Sequence, residues 1–184
     1  MIIAVRVIFF NSIMNEIEMR KAVPADYPAA WAAILYAKKT MLENGRHQWT
    51  EDYPSPEIIR GDIESGNAYV LTVGGEVAAY GVVVLNGEPE YANLHDGTWL
   101  TYGDYYVVHR MAVAEKFRGK GMAKQFMLGV EYLCDLVCIP SIKVDTNHDN
   151  VEMLRMLPEM GYVRCGRIEY KVSGTRIAFE KRLY

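Results

Sequence analysis

Cysteine is scarce: Cys134, Cys138 and Cys165 are the only three in 184 residues. An odd number without paired spacing excludes a disulfide framework. Cys134 and Cys138 stand four apart, share a helical face and read as small buried hydrophobes. The four histidines, His47, His95, His109 and His148, are scattered, and no Cys/His spacing suits zinc, so no metal is expected. Charge of one sign is not in excess either. The 20 basic residues face 23 acidic ones, for a net charge of -3, which gives no reason to expect nucleic acid as a partner. Long apolar runs are missing too. Residues 1–10 are almost wholly apolar but too short to span a bilayer. They also lack the basic start and small-residue cleavage site of a signal peptide. The expectation is therefore no membrane partner and a reducing, cytoplasmic compartment.

What is present suits one domain. A chain of 184 residues, 51% hydrophobic and 23% charged, buries a sizeable core without staples. Residues 1–15 form an apolar N-terminal extension. It is either an extra strand or sequence upstream of a start at Met14 or Met19. The second is preferred, because the organised pattern begins near Glu16. Residues 16–184 make up the domain.

Residues 16–21 alternate as a half-buried strand. Asp26 is placed to cap a helix over residues 27–42, which Asn44-Gly45 ends. Ser55 and Pro56 open a second helix to about Ser65. Residues 67–73 and 77–85 form a hairpin turning at Gly74-Gly75. Residues 86–97 read as a long loop, and residues 99–113 as a strand interrupted near Gly103-Asp104. A turn over residues 115–121 leads into a helix over 122–138. A short strand follows at 142–146, then a helix over 150–160 that stops at Gly161. A last hairpin, 162–172 and 176–183, turns at Ser173-Gly174. This order implies an α/β fold with a mixed sheet and helices on both faces.

The chemistry concentrates at the turn before the third of these four helices. An apolar strand ends at Val113, two glycines and three cations follow, and a helix begins at once. A helix start leaves backbone N–H groups unpaired, and its dipole favours an anion. Gly119 and Gly121 let the main chain approach a phosphate or pyrophosphate closely. Lys116, Arg118 and Lys120 add positive charge. The segment contains neither a Gly-x-x-x-x-Gly-Lys-Ser/Thr loop nor a Gly-x-Gly-x-x-Gly run.

Arg118-Gly-Lys-Gly121-Met-Ala123 resembles the Gln/Arg-x-x-Gly-x-Gly/Ala signature of the GNAT superfamily of N-acetyltransferases. Downstream, the run Asp145-Thr-Asn-His-Asp-Asn150 resembles that family's strand and Asn-initiated helix. Met153-Leu154 and the close at Gly161-Tyr162 continue the likeness. The resemblance covers residues 16–183. It implies a single-domain acyl-CoA N-acyltransferase fold, its mixed central sheet splayed between the fourth and fifth core strands. The implied cofactor is acetyl-CoA, or another acyl-CoA. Arg118, Gly119, Lys120, Gly121, Met122 and Ala123 would hold the pyrophosphate. Met111, Ala112 and Val113 would pair with the pantetheine arm, and Asn150 would contact the cofactor near the acetyl end while also serving as a helix N-cap.

Acyl transfer to an amine needs a neutral amine, a polarised carbonyl and a proton for the leaving thiolate. A backbone N–H near residues 111–113 suits the second requirement. His109 is the candidate base, because an unperturbed histidine titrates near neutral pH. By strand alternation it shares a face with residues 105, 107 and 111. A structural histidine bonded in the sheet is the other reading. Glu88, Glu90 and Asp104 are further candidates. Many family members use a tyrosine on the last helix as the acid; that position here is Leu157. Tyr162, Tyr170 or solvent stands in its place. Trp49, Tyr53, Tyr91 and Trp99 are candidates for the acceptor pocket, with packing in the core as the alternative for Trp49 and Tyr53.

The function expected is transfer of an acetyl group from acetyl-CoA to a primary amine, of a small molecule or a protein, in a ternary complex. A non-catalytic CoA-binding module is the alternative that Leu157 keeps open, and a phosphate-binding domain of another kind is the third. The final strands and the apolar N-terminus are free to pair across a homodimer.

Overall fold

The computed structural model describes residues 7–10, 16–171 and 174–184. Among them one nine-stranded sheet carries four α-helices. The strands are β1 (Val7–Phe10), β2 (Glu16–Lys21), β3 (Ala68–Val73), β4 (Glu76–Leu85) and β5 (Leu94–His95). They continue with β6 (Tyr106–Val113), β7 (Ser141–Thr146), β8 (Val163–Tyr170) and β9 (Gly174–Arg182). The helices are α1 (Tyr27–Glu43), α2 (Pro56–Glu64), α3 (Met122–Val137) and α4 (Val151–Glu159). The spatial order is β1-β2-β3-β4-β6-β7-β9-β8-β5, and β6–β7 is the parallel pair in it. Of the N-terminal extension, Val7–Phe10 is an added edge strand antiparallel to β2. Met14 lies outside the described residues, as does Ser173 of the expected last turn.

Helices cover both faces because the strands alternate. On one face Ala30, Ala33 and Ile34 of α1, with Ile59 and Ile63 of α2, bury against Val70, Tyr80, Val82 and Ala112. On the other, Phe126, Met127, Val130 and Leu133 of α3 bury against Ile17, Met19, Leu71 and Ile142.

Four expectations need correction. Asp26 does not cap α1 with its side chain. Its carboxylate accepts from Arg20 at 2.6 and 2.8 Å and from the Val23 N–H at 2.8 Å; a bidentate arginine outcompetes a single amide. The 86–97 loop contains a 3-10 turn, Pro89–Asn93, and the short strand β5 on β8. The strand expected from residue 99 starts at Tyr106. Upstream, the Leu100 N–H and the Thr101 hydroxyl donate to the buried Glu180 carboxylate, each at 2.5 Å, so a side chain takes the place of a ladder.

The fourth correction positions the site. In the β4–β6 ladder Tyr80 faces Ala112 and Val82 faces His109, so Gly81 stands opposite two residues, Arg110 and Met111. This is a β-bulge, and Arg110 takes the left-handed φ of 49°. The bulge resets the alternation. Met111 and Val113 join Val108 on the α3 face, and Ala112 turns to the α1 face. Met111 therefore does not share a face with His109.

Candidate active site

The turn after β6 is built from backbone. A single 3-10 turn, Glu115–Phe117, uses the Arg118 N–H on Glu115 O and the Lys120 N–H on Phe117 O. Gly121 then caps α3, and the first helical bond is Gln125 N–H to Gly121 O at 3.0 Å. Among the described residues the N–H groups of Gly119, Gly121, Met122, Ala123 and Lys124 find no backbone partner. Gly119 and Gly121 hold φ of 72° and 77°, and a Cβ built at either would meet nothing within 4 Å. Five free donors around two open glycine faces, at a helix start, make a nest for an anion.

A cleft of about 580 Å³ runs from this turn between α1 and α4. Met111, Ala112 and Val113 form its floor, Tyr36, Thr40 and Met41 of α1 one wall, and Asn150, Met153 and Met156 of α4 the other. Cations ring its mouth. Arg118 donates to the Tyr36 hydroxyl at 3.1 Å; Lys124 and Arg155 pair with Glu159, and Arg46 pairs with Glu152.

The floor is free along its inner edge. β6 and β7 pair only at Tyr106↔Ile142 and Val107↔Lys143, then part. The strands are splayed there, and β6 beyond Val107 offers its main chain to an extended ligand. At the fork stand His109 of β6, Asp145 of β7 and Glu88 of the β4–β5 connection. His109 Nε2 lies 3.5 Å from Glu88 Oε2, with the two side chains 18% and 14% exposed. Asp145 accepts from the Tyr91 hydroxyl at 2.7 Å and the Tyr170 hydroxyl at 3.1 Å. Burial, helped by the neighbouring Arg110 charge, pushes His109 down to about 4. Burial, then Glu90 and Asp145, push Glu88 up to about 7. Burial also raises Asp145.

Residues 31–162 match the acetyltransferase (GNAT) family. The chain belongs to that family. A GNAT-family acetyltransferase from Streptococcus agalactiae 2603 is 31% identical, with a TM-score of 0.84 over 96% of this chain and 98% of that one. A GNAT-family acetyltransferase from Listeria monocytogenes 4b F2365 is 21% identical, with a TM-score of 0.73 over 97% and 100%. Ard1 from Thermoplasma volcanium has the same fold at 17% identity and a TM-score of 0.64, over 91% and 98%. No curated protein matches the sequence.

In this GNAT domain nine of the ten residues expected at the cofactor meet at one cleft: Met111, Ala112, Val113, Arg118, Gly119, Gly121, Met122, Ala123 and Asn150. The tenth, Lys120, is outside the lining, with its ammonium 5.6 Å from the Phe117 ring. Tyr162 is also elsewhere. It is 3% exposed within the α3 core, where burial raises its hydroxyl well above its ordinary range, so it neither reaches the cleft nor gives up a proton readily. Leu157 is fully buried in the same core. Trp49 is core beside α1. Tyr53 is exposed, and its hydroxyl meets Arg110 at 3.3 Å. Tyr91 and Trp99 flank the fork, with ring centroids 5.1 Å apart.

One residue the sequence did not flag is Gln48. Its Oε1 accepts from Thr146 Oγ1 at 3.2 Å, the Asn147 N–H at 3.1 Å and Asn150 Nδ2 at 3.2 Å. The Asn150 Oδ1 meanwhile caps α4 by accepting from the Met153 N–H at 3.3 Å. Gln48 thereby ties the α1–α2 connection to the β7–α4 turn across the splay. Nothing local marks a glutamine for this; the signal is purely tertiary.

Proposed function

We propose that the protein transfers an acetyl group from acetyl-CoA to a primary amine of a small molecule or a protein, by direct attack in a ternary complex. The observation that carries this reading is the continuity of the free N–H groups at the Gly119–Gly121 nest with the unpaired inner edge of β6. An anionic head and an extended amide arm match those two features in that order. The glycine nest fits a pyrophosphate because a side chain at either glycine would fill the space in front of it. Arg118, Lys124 and Arg155 add charge at the mouth, and Asn150 fixes the far wall. Acetyl-CoA supplies the activated thioester. The free thiols of Cys134, Cys138 and Cys165 favour a cytoplasmic location, and no helix among the described residues is long and apolar enough to cross a membrane.

A second reading, a CoA-binding module without turnover, draws on the buried leucine at position 157. Calorimetry with acetyl-CoA and CoA, followed by thiol release with spermidine, propylamine, glycine amide and a lysine peptide, separates the two. Amine-dependent thiol release is expected. Binding without release from any acceptor would leave the module reading standing, and no binding of either thioester or thiol would reject both.

A further inference from the structure

We propose that Glu88, seated against His109 at the β6–β7 fork and backed by Glu90, is the group that takes the proton from the acceptor's ammonium. This rests on the acyl-transfer reading above and deepens it.

The placement comes first. Val107 and Lys143 make the last ladder pair before the strands part. His109 and Asp145 each lie two residues past it, on opposite sides of the opening. Glu88 reaches the same point from a separate segment, 3.5 Å from His109 Nε2. Along β6, His109 is followed by the bulge residue Arg110 and then by Met111 at the cleft floor.

The surroundings choose between Glu88 and its neighbours. His109 is neutral throughout the physiological range, but pushed down to about 4 it is a feeble base. Asp145 has its carboxylate occupied by two tyrosine hydroxyls. Six groups face Glu88: Glu90 beside it, Tyr91 of the 3-10 turn, Tyr105 just before β6, His109 of β6, Asp145 of β7 and Tyr170 of β8. Among the described residues no lysine or arginine pairs with Glu88. Burial favours its protonated form most, a hydrogen bond with Glu90 and the like charges of Asp145 and Glu90 add to that, and the Tyr170 hydroxyl opposes it. A carboxyl pushed up to about 7 is matched to proton transfer near neutral pH.

The proton balance closes. The ammonium N–H bond breaks and its proton moves to the Glu88 carboxylate. The freed lone pair forms the C–N bond at the thioester carbon, and the C–S bond breaks with its electrons going to sulfur. The second amine proton passes to the departing thiolate, and Glu88 returns its own proton to solvent. Three carboxylates and a rim of tyrosines at the fork suit an alkylamine that arrives protonated.

Two readouts test this. In the free protein, carbon-detected NMR of labelled glutamate should show Glu88 titrating near 7, and Glu90→Gln should move it downward. A titration in the ordinary carboxylate range would overturn the assignment whatever the acceptor. In thiol release, Glu88→Gln should lose on the order of 10²- to 10⁴-fold in kcat with spermidine or propylamine, with acetyl-CoA affinity kept. It should lose far less with hydroxylamine, which is already unprotonated near neutral pH. Equal losses on both kinds of nucleophile would mark Glu88 as structural, and wild-type turnover in Glu88→Gln would reject it outright. A wild-type protein that binds acetyl-CoA yet releases thiol with none of these acceptors would instead sink the acyl-transfer reading, and the Glu88 role with it.

Discussion

At the scale of single residues, backbone geometry and burial decide more than residue type. Gly121 is required twice over, by its left-handed φ and by the open space before it. Gly121→Ala should cost about 1 kcal/mol of stability from the backbone alone. It should also weaken acetyl-CoA by about tenfold or more, because one lost contact of about 1.4 kcal/mol suffices for that. Thermal melts and calorimetry on the same variant separate the two effects. His109 shows how a reasonable reading fails. Its imidazole was the obvious base in the sequence, but burial beside Arg110 takes away the proton affinity that made it attractive. His109→Gln should therefore keep the acid limb of the pH–rate profile near 7, and a limb that vanished in this variant would return the role to the histidine.

At the scale of elements, connections hold the site in shape. Gln48 serves three donors at once. Gln48→Ala leaves buried groups of the β7–α4 turn unpaired, and each such orphan costs about 1–3 kcal/mol. Hydrogen exchange should accelerate over residues 46–50 and 146–150 in this variant while α3 stays protected; an unchanged pattern would show that the tie is not needed. The β6 bulge is likewise held by an element. Arg110 donates to Asp62 of α2 at 2.7 and 2.8 Å, and Tyr80 donates to the same carboxylate at 3.0 Å. Most elements were legible because amphipathic periodicity and capping chemistry are local: β2, α1, α2 and the β3–β4 hairpin fall where the pattern puts them. Features created by pairing were not. β5 is two residues long and exists because β8 lies beside it. The bulge at Arg110 has no local signature, since neither glycine nor proline stands within residues 107–113. The Gly119–Gly121 nest was readable for the opposite reason, that glycine and a helix start announce themselves locally.

At the scale of the whole molecule, the fork sets two opposed pH dependences. His109 has its folded value lowered from 6.5 to about 4. The unfolded chain therefore binds its proton first, and stability is lost as pH falls through that window. Glu88 has its folded value raised from 4.5 to about 7, so the folded state binds more protons and stability is lost as pH rises from 4.5 to 7. Between about 4.5 and 6.5 the two oppose each other. Glu88→Gln removes one of them, and chemical denaturation at several pH values should then show stability rising more steeply toward neutrality than in the wild type. A slope identical to wild type would mean the two groups are not buried together as described. The fold and the family were legible at this scale because the glycine turn and the Asn150–Tyr162 segment sit in the right order along the chain. Glu88, Tyr91, Trp99 and Tyr170 each stood out singly in the sequence, but their meeting with Asp145 at the fork did not, because they come from distant segments.

The most direct test of the central claim is a calorimetric titration of acetyl-CoA into the wild type and into Gly121→Val. Saturable binding to one site per chain, lost or at least tenfold weaker in the folded variant, is the expected result. Equal affinity in the two proteins, or no binding to the wild type, would contradict the claim that this turn and the open edge of β6 hold the acyl donor.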